Sequence, residues 1–310
     1  MSTAWVAGNV RAKAMLDRRI GSARARELAA SGSLAQAQQI LADSPYRHCV
    51  RGGQTLPEAE HALAATVLWH LRVLAGWQPR PGAGTLRLLA GWFEIANICA
   101  HARAVSGGEN GENEALFALG ALGTAWSRLR ATSSVAELRH VLTETPWGDP
   151  GGDSPSDIAV GVGFAWARRV VVAVPEANDW ACGGAALLVA RRRFLEGRLL
   201  ELPAQTNAER ILGRRAMAAG SLQEFTSRLP PPARWALSGT ADVGELWQAE
   251  FRWWSRVERD GLDLLRRPRF GSGPTVGAAA VLAADAWRCR AALQIAAGGG
   301  GSMEIYDAVA

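Results

Sequence analysis

One local pattern occurs three times in this chain. SLAQAQQIL spans 33–41, SVAELRHVL spans 134–142 and SLQEFTSRL spans 221–229. Each opens on Ser, has Gln or Glu three residues on, and reaches Leu eight residues on. Such a Ser ahead of an apolar periodic run is a capping box. The hydroxyl accepts from the N–H three residues on, and the Gln or Glu reaches back to the Ser N–H. Three short helices are therefore predicted, starting at Ser33, Ser134 and Ser221 and ending near Leu41, Leu142 and Leu229. Pro45, Pro146 and Pro230 follow, and Tyr46 and Trp147 come next in the first two copies.

A second element repeats behind the first. EIANICAHAR (94–103), ANDWACGGAALLVARR (177–192) and ADAWRCRAALQIA (284–296) align on Cys99, Cys182 and Cys289. Asn97, Trp180 and Trp287 stand two residues before these cysteines. Paired order of the two elements predicts three related helical units, 1–115, 116–205 and 206–310. Unequal Ser-to-Cys spacing argues against a solenoid of fixed period.

Helical periodicity dominates elsewhere. Leu63, Val67, Leu71 and Leu74 recur at helical spacing behind Pro57 and Glu58, which predicts a helix over 57–77. Thr85 is placed as the cap of the next helix, with Leu86, Leu89, Phe93, Asn97 and Ala100 on one face. A further helix is predicted over 245–265, with Trp247, Phe251, Trp254 and Leu262 on or near one side. Only 166–174, WARRVVVAV, suits a strand as well as a buried helix. Loops are predicted at 78–84, 106–113, 146–157, 230–232 and 271–274. The glycines after Ala297 are expected to be a hinge before an amphipathic tail with Ile305 and Val309. The fold class expected is all-α.

Composition narrows the function classes. Hydrophobic residues make up 48% of the chain, enough for a sizeable core. Neither a signal peptide nor a membrane span is expected. The most apolar stretch, 158–174, is interrupted by Arg168 and Arg169, and a span needs roughly 20 apolar residues. Net charge is +5, carried almost entirely by arginine, since Lys13 is the sole lysine. The arginines are scattered, apart from clusters such as Arg191-Arg192-Arg193 and that of Arg266, Arg267 and Arg269. Aromatic residues do not alternate with them, so nucleic acid is not an expected partner. The four cysteines form no CxxC pair, and neither a zinc knuckle nor a redox dithiol is expected.

Catalytic constellations are also missing. Lys13 lies between alanines, outside any phosphate-binding Gly-Lys-Ser/Thr motif. No Gly-x-Ser-x-Gly elbow is present. A di-iron carboxylate bundle takes Glu and Glu-x-x-His ligands from four helices. Glu27, Glu58 with His61, Glu94, and Glu137 with His140 occur in that order. Glu58 and Glu137 are expected at helix starts, where a ligand of a bundle core would not sit. No catalytic residue, cofactor or metal ligand is therefore assigned. An all-α metal enzyme and a generic helical scaffold remain the alternative readings.

Against this background the chain resembles the C-subunit family of V-type/A-type ATPases, equivalent to the eukaryotic d-type subunit. TAWVAGNVRAKAML (3–16) is similar to the family's start, an aromatic, then Asn, then an Arg-rich amphipathic helix: Trp5, Asn9 and Arg11. SLAQAQQILADSPYRHCV (33–50) resembles the stretch in which a short helix ends in Thr/Ser-x-Tyr, here Tyr46. LLAGWFEIANICAHARAVSGG (88–108) is similar to the family's acid-x-x-Asn helix, with Glu94 and Asn97 in place. VLAADAWRCRAALQIAAGG (281–299) looks like the last such helix. The second copy, Ala177-Asn178-Asp179-Trp180, and the third, Ala284-Asp285-Ala286-Trp287, depart from the Glu-Asn pair.

The resemblance implies a non-catalytic adaptor whose three helical units form a funnel. It implies one copy per complex, on the cytoplasmic face of the membrane as a peripheral protein. The expected partners are the central-stalk subunits and the membrane rotor ring, with the membrane reached only through the ring. Trp5, Asn9, Arg11, Tyr46, Glu94 and Asn97 are the positions it marks as structural or interfacial.

Overall fold

A computed structural model describes residues 3–107, 114–267 and 270–300. Most of the loop predicted at 106–113, Arg269 and the tail with Ile305 and Val309 lie outside them. The described residues form helices joined by turns, with no strand among them. The α-helices are α1 (Val6–Ala14), α2 (Gly21–Ala30), α3 (Leu34–Ala42), α4 (Leu56–Gly76), α5 (Arg80–Leu89) and α6 (Gly91–Val105). After them come α7 (Trp126–Leu129), α8 (Val135–Thr143), α9 (Pro155–Ala173), α10 (Asn178–Val189) and α11 (Leu202–Leu212). The last are α12 (Arg214–Met217), α13 (Leu222–Arg228), α14 (Pro231–Arg234), α15 (Leu246–Arg266) and α16 (Ser272–Ala297). The 166–174 run is helical, inside α9 but for its last residue.

The three repeated serines cap α3, α8 and α13. Ser33 accepts from the Gln36 N–H at 3.3 Å, Ser134 from Glu137 at 3.2 Å and Ser221 from Glu224 at 3.2 Å. The return bond departs from expectation in the same way each time. Gln36 accepts from Gly32, Glu137 from Ser133 and Glu224 from Gly220, the residue before the cap. The cap backbone explains it. At the three serines φ lies between −163° and −136°, fully extended. At Thr55, where φ is −63°, Glu58 reaches the Thr55 N–H itself at 2.7 Å and closes the regular box. Rotation about N–Cα re-aims the cap N–H, and the preceding amide takes its place.

Other boundaries shift for local reasons. The predicted loop at 78–84 is helical from Arg80, and Thr85 lies inside α5, bonded to the Pro81 carbonyl at 3.1 Å. Pro81 suits a first helical turn. Gly82 is there for space: a Cβ would meet the Trp5 ring at 2.9 Å. Prolines also sit in the first turns of α14 and α16, so the loops predicted at 230–232 and 271–274 are partly helical. In α15 the buried side is Leu246, Ala249, Val257, Leu264 and Leu265, while Trp247 is exposed. In α4 the expected stripe of Leu63, Val67, Leu71 and Leu74 is buried.

The chain divides into two compact units. Unit 1 comprises residues 1–86 and 254–310, and unit 2 comprises 87–253. These limits differ from those expected at 115/116 and 205/206. In unit 1, α16 is buried on nearly all sides and packs against α1, α2, α3 and α4. In unit 2, α9 packs against α6, α10 and α11, and α10 also meets α14. Helix α6 therefore groups with the elements that follow it, and α16, the last helix, groups with the first.

Candidate functional site

The six marked positions fall into both units. In unit 1, Trp5 is half-buried and lies over Gly82. The buried Asn9 amide pairs with the Gly271 backbone, its nitrogen donating to the carbonyl at 3.1 Å and its oxygen accepting from the N–H at 3.0 Å. The Arg11 guanidinium stands 4.9 Å from the centre of the Trp77 ring. Tyr46 is buried and donates its hydroxyl to Asp285 at 2.9 Å. In unit 2, Glu94 and Asn97 are each 1% exposed.

Glu94 accepts three hydrogen bonds. Thr124 N–H and Ala125 N–H donate at 2.6 Å each, and Trp147 Nε1–H donates at 3.2 Å. Thr124 and Ala125 lie immediately before α7, where backbone donors have no helical acceptor. Asn97, one turn along α6, pairs with Phe117 in both directions, donating at 2.9 Å and accepting at 2.7 Å. One helix face thus fixes 117, 124, 125 and 147.

Asp285 does the same work in unit 1. It accepts from Ile20 N–H at 3.0 Å, Gly21 N–H at 2.9 Å and the Tyr46 hydroxyl. Ile20 and Gly21 open α2 as 124 and 125 precede α7. Gly21 takes φ of 75°, a conformation glycine tolerates. Tyr46 follows the capped helix α3 as Trp147 follows α8. Burial pushes the Asp285 carboxyl above the usual range, while its donors and Arg288 pull it back. Burial also pushes the Tyr46 hydroxyl well up, and Asp285 adds to it. Arg288, three residues beyond Asp285, donates to Glu258, which also receives Arg19 at 3.0 Å.

Asp285 as the counterpart of Glu94 escaped the alignment of the repeats. Matching on cysteine sets it one residue out of register, because Glu94 precedes its Cys by five residues and Asp285 by four. The second copy, in α10, has no carboxylate shown in this role. Arg193, in a π-helical turn that extends α10, donates to the Met217 carbonyl at 2.6 Å and the Ala219 carbonyl at 3.0 Å. Met217 ends α12 and Ala219 lies between α12 and α13, so the third capped helix is tied through carbonyls instead of amides.

Chemically, both carboxylates are committed to structural donors and closed to solvent. Glu58 and Glu137 are committed to helix caps. Among the described residues no three His, Cys, Asp or Glu side chains gather as metal ligands. The cysteines are free thiols, and burial pushes Cys99 and Cys182 up to about 11. No protein-family model and no curated protein matches the chain.

Proposed function

We propose that the chain is a non-catalytic central-rotor adaptor of a V/A-type ATPase. It joins the central stalk of the ATP-handling head to the membrane rotor ring and so couples ion transport to ATP. The observation that carries this reading is the recurrence of one clasp. A core-helix carboxylate, Glu94 or Asp285, holds a helix start and the aromatic that follows a Ser-capped helix. Occurrence of the clasp twice, beside three Ser-capped helices, supports repeated helical units, which the resemblance takes as three arranged in a funnel seated on the ring. Residues spent on holding helices suit a part that transmits torque without chemistry of its own. No helix among the described residues is long and apolar enough to cross a membrane, which fits a peripheral place reached through the ring.

The test is removal. In the assembled ATPase lacking this chain, the head should still hydrolyse ATP, while ion pumping and ATP synthesis stop. Restoring the purified chain should restore both. Pumping that survives complete removal contradicts the proposal.

A further inference from the structure

We propose that a cavity of unit 1 binds a phosphate-bearing anion, an activity separate from the rotor reading. The cavity has a volume of about 580 Å³ and is lined by Arg18, Arg47, His48, Arg51, Trp69 and His70, with Asp43 and Ser44 at its side. Asp43 is the one carboxylate in that lining.

The cations there are unequal in use. Arg51 is spent on the loop itself. It donates to the carbonyls of Arg47, His48 at 3.0 Å and Val50 at 2.8 Å, and so holds the turn that carries Arg47 and His48. Arg18 and Arg47 form no ion pair or side-chain hydrogen bond among the described residues. Some arginines elsewhere in unit 1 are paired, Arg19 and Arg288 with Glu258 and Arg290 with Glu60 at 2.9 Å, and none of these three lines the cavity. Arg18, Arg47 and Arg51 outnumber the single carboxylate Asp43 in this lining, so they repel one another, and an anion relieves that repulsion. Guanidinium groups also match phosphate oxygens in geometry.

His70 is the second observation. It lines the cavity, is 4% exposed, and its Nε2 has no hydrogen-bond partner. A neutral imidazole offers one N–H donor without adding charge. His48 stacks on Trp69 with ring centroids 4.1 Å apart, which fixes one wall. Two unpaired guanidiniums, a fixed loop and an unpartnered buried imidazole together recognise a compact, strongly charged oxyanion. Its source is either a free phosphate compound or a phosphate headgroup of a lipid.

The experiment uses the full chain at low salt with two probes. Inorganic pyrophosphate is titrated calorimetrically, and vesicles of phosphatidylcholine with and without phosphatidic acid are tested by co-sedimentation. Binding of pyrophosphate at one site assigns a free phosphate ligand. Binding only to phosphatidic acid vesicles assigns a headgroup. In either case the double variant Arg18→Gln, Arg47→Gln should bind at least tenfold more weakly with an unchanged melting temperature. Arg24→Gln, an exposed change outside the lining, should bind like the unaltered chain. Failure of both probes to bind, or equal binding by the double variant, overturns the proposal.

Discussion

In unit 1, Asp285 near the C-terminal end accepts from residues 20, 21 and 46; in unit 2, Glu94 accepts from residues 124, 125 and 147. The donors match in kind: two consecutive amides at a helix start and one buried aromatic. The separations do not. Asp285 and Ile20 are 265 residues apart, while Glu94 and Thr124 are 30 apart. Loop closure entropy grows only with the logarithm of length, so the longer closure costs about 2 kcal/mol more. One clasp can therefore serve a continuous unit and one assembled from both ends of the chain. The aromatic partner differs too, a phenol in unit 1 and an indole in unit 2.

The largest effects should come from removing either carboxylate. Glu94→Ala and Asp285→Ala each leave three donors without an acceptor, at a cost of about 3–5 kcal/mol in urea unfolding. Conservative changes sharpen the comparison. Glu94→Gln and Asp285→Asn should cost less than the alanines but still destabilise, because the amide nitrogen faces backbone N–H groups. A neutral outcome at either position would mean that its donors find water.

Acid should separate the units next. Burial, with Arg18 and His48 nearby, lowers the His70 pKa to about 4. Its neutral form therefore stabilises unit 1 fully above the unfolded value near 6.5, and that contribution is lost as pH falls towards 4. The loss amounts to about 3 kcal/mol. The urea midpoint should fall less over this range in His70→Gln than in the unaltered chain. Identical slopes would contradict the assignment.

Close packing can be compared through two glycines. A Cβ on Gly161 would stand 2.3 Å from the Pro150 carbonyl oxygen in unit 2, and one on Gly277 would stand 2.6 Å from the Gly261 carbonyl oxygen in unit 1. Backbone cannot yield as a side chain can, so Gly161→Ala and Gly277→Ala should each lower stability by about 1–3 kcal/mol, measured by thermal unfolding. The smallest effects are the caps. Ser33→Ala, Ser134→Ala and Ser221→Ala should each cost about 1 kcal/mol. A cost at one serine far above the other two would break the equivalence of the three capped helices.

What the sequence disclosed follows from how local each signal is. The caps at Ser33, Ser134 and Ser221 were legible because a cap depends on a few neighbouring residues. So was the stripe of α4, which needs one helix period and a core. Glu94 and Asn97 were marked by resemblance, and their shared face follows from their spacing of three. Asp285 was not legible in its role, since its partners lie at the far end of the chain and its register is offset by one residue. The start of α5 was missed because Pro81 and Gly82 signal a turn locally, whereas packing beneath Trp5 makes the glycine useful inside a helix. Arg193 could not be singled out from its arginine run, since the carbonyls that select it are brought near only by folding.

The equivalence of the two clasps is tested most directly by amide hydrogen exchange on the full chain. Ile20, Gly21, Thr124 and Ala125 should be protected in the unaltered protein. Asp285→Asn should release 20 and 21 while leaving 124 and 125 protected, and Glu94→Gln should do the reverse. Rapid exchange at either pair in the unaltered chain, or release of neither pair by the variants, would contradict the claim that these carboxylates hold the helix starts.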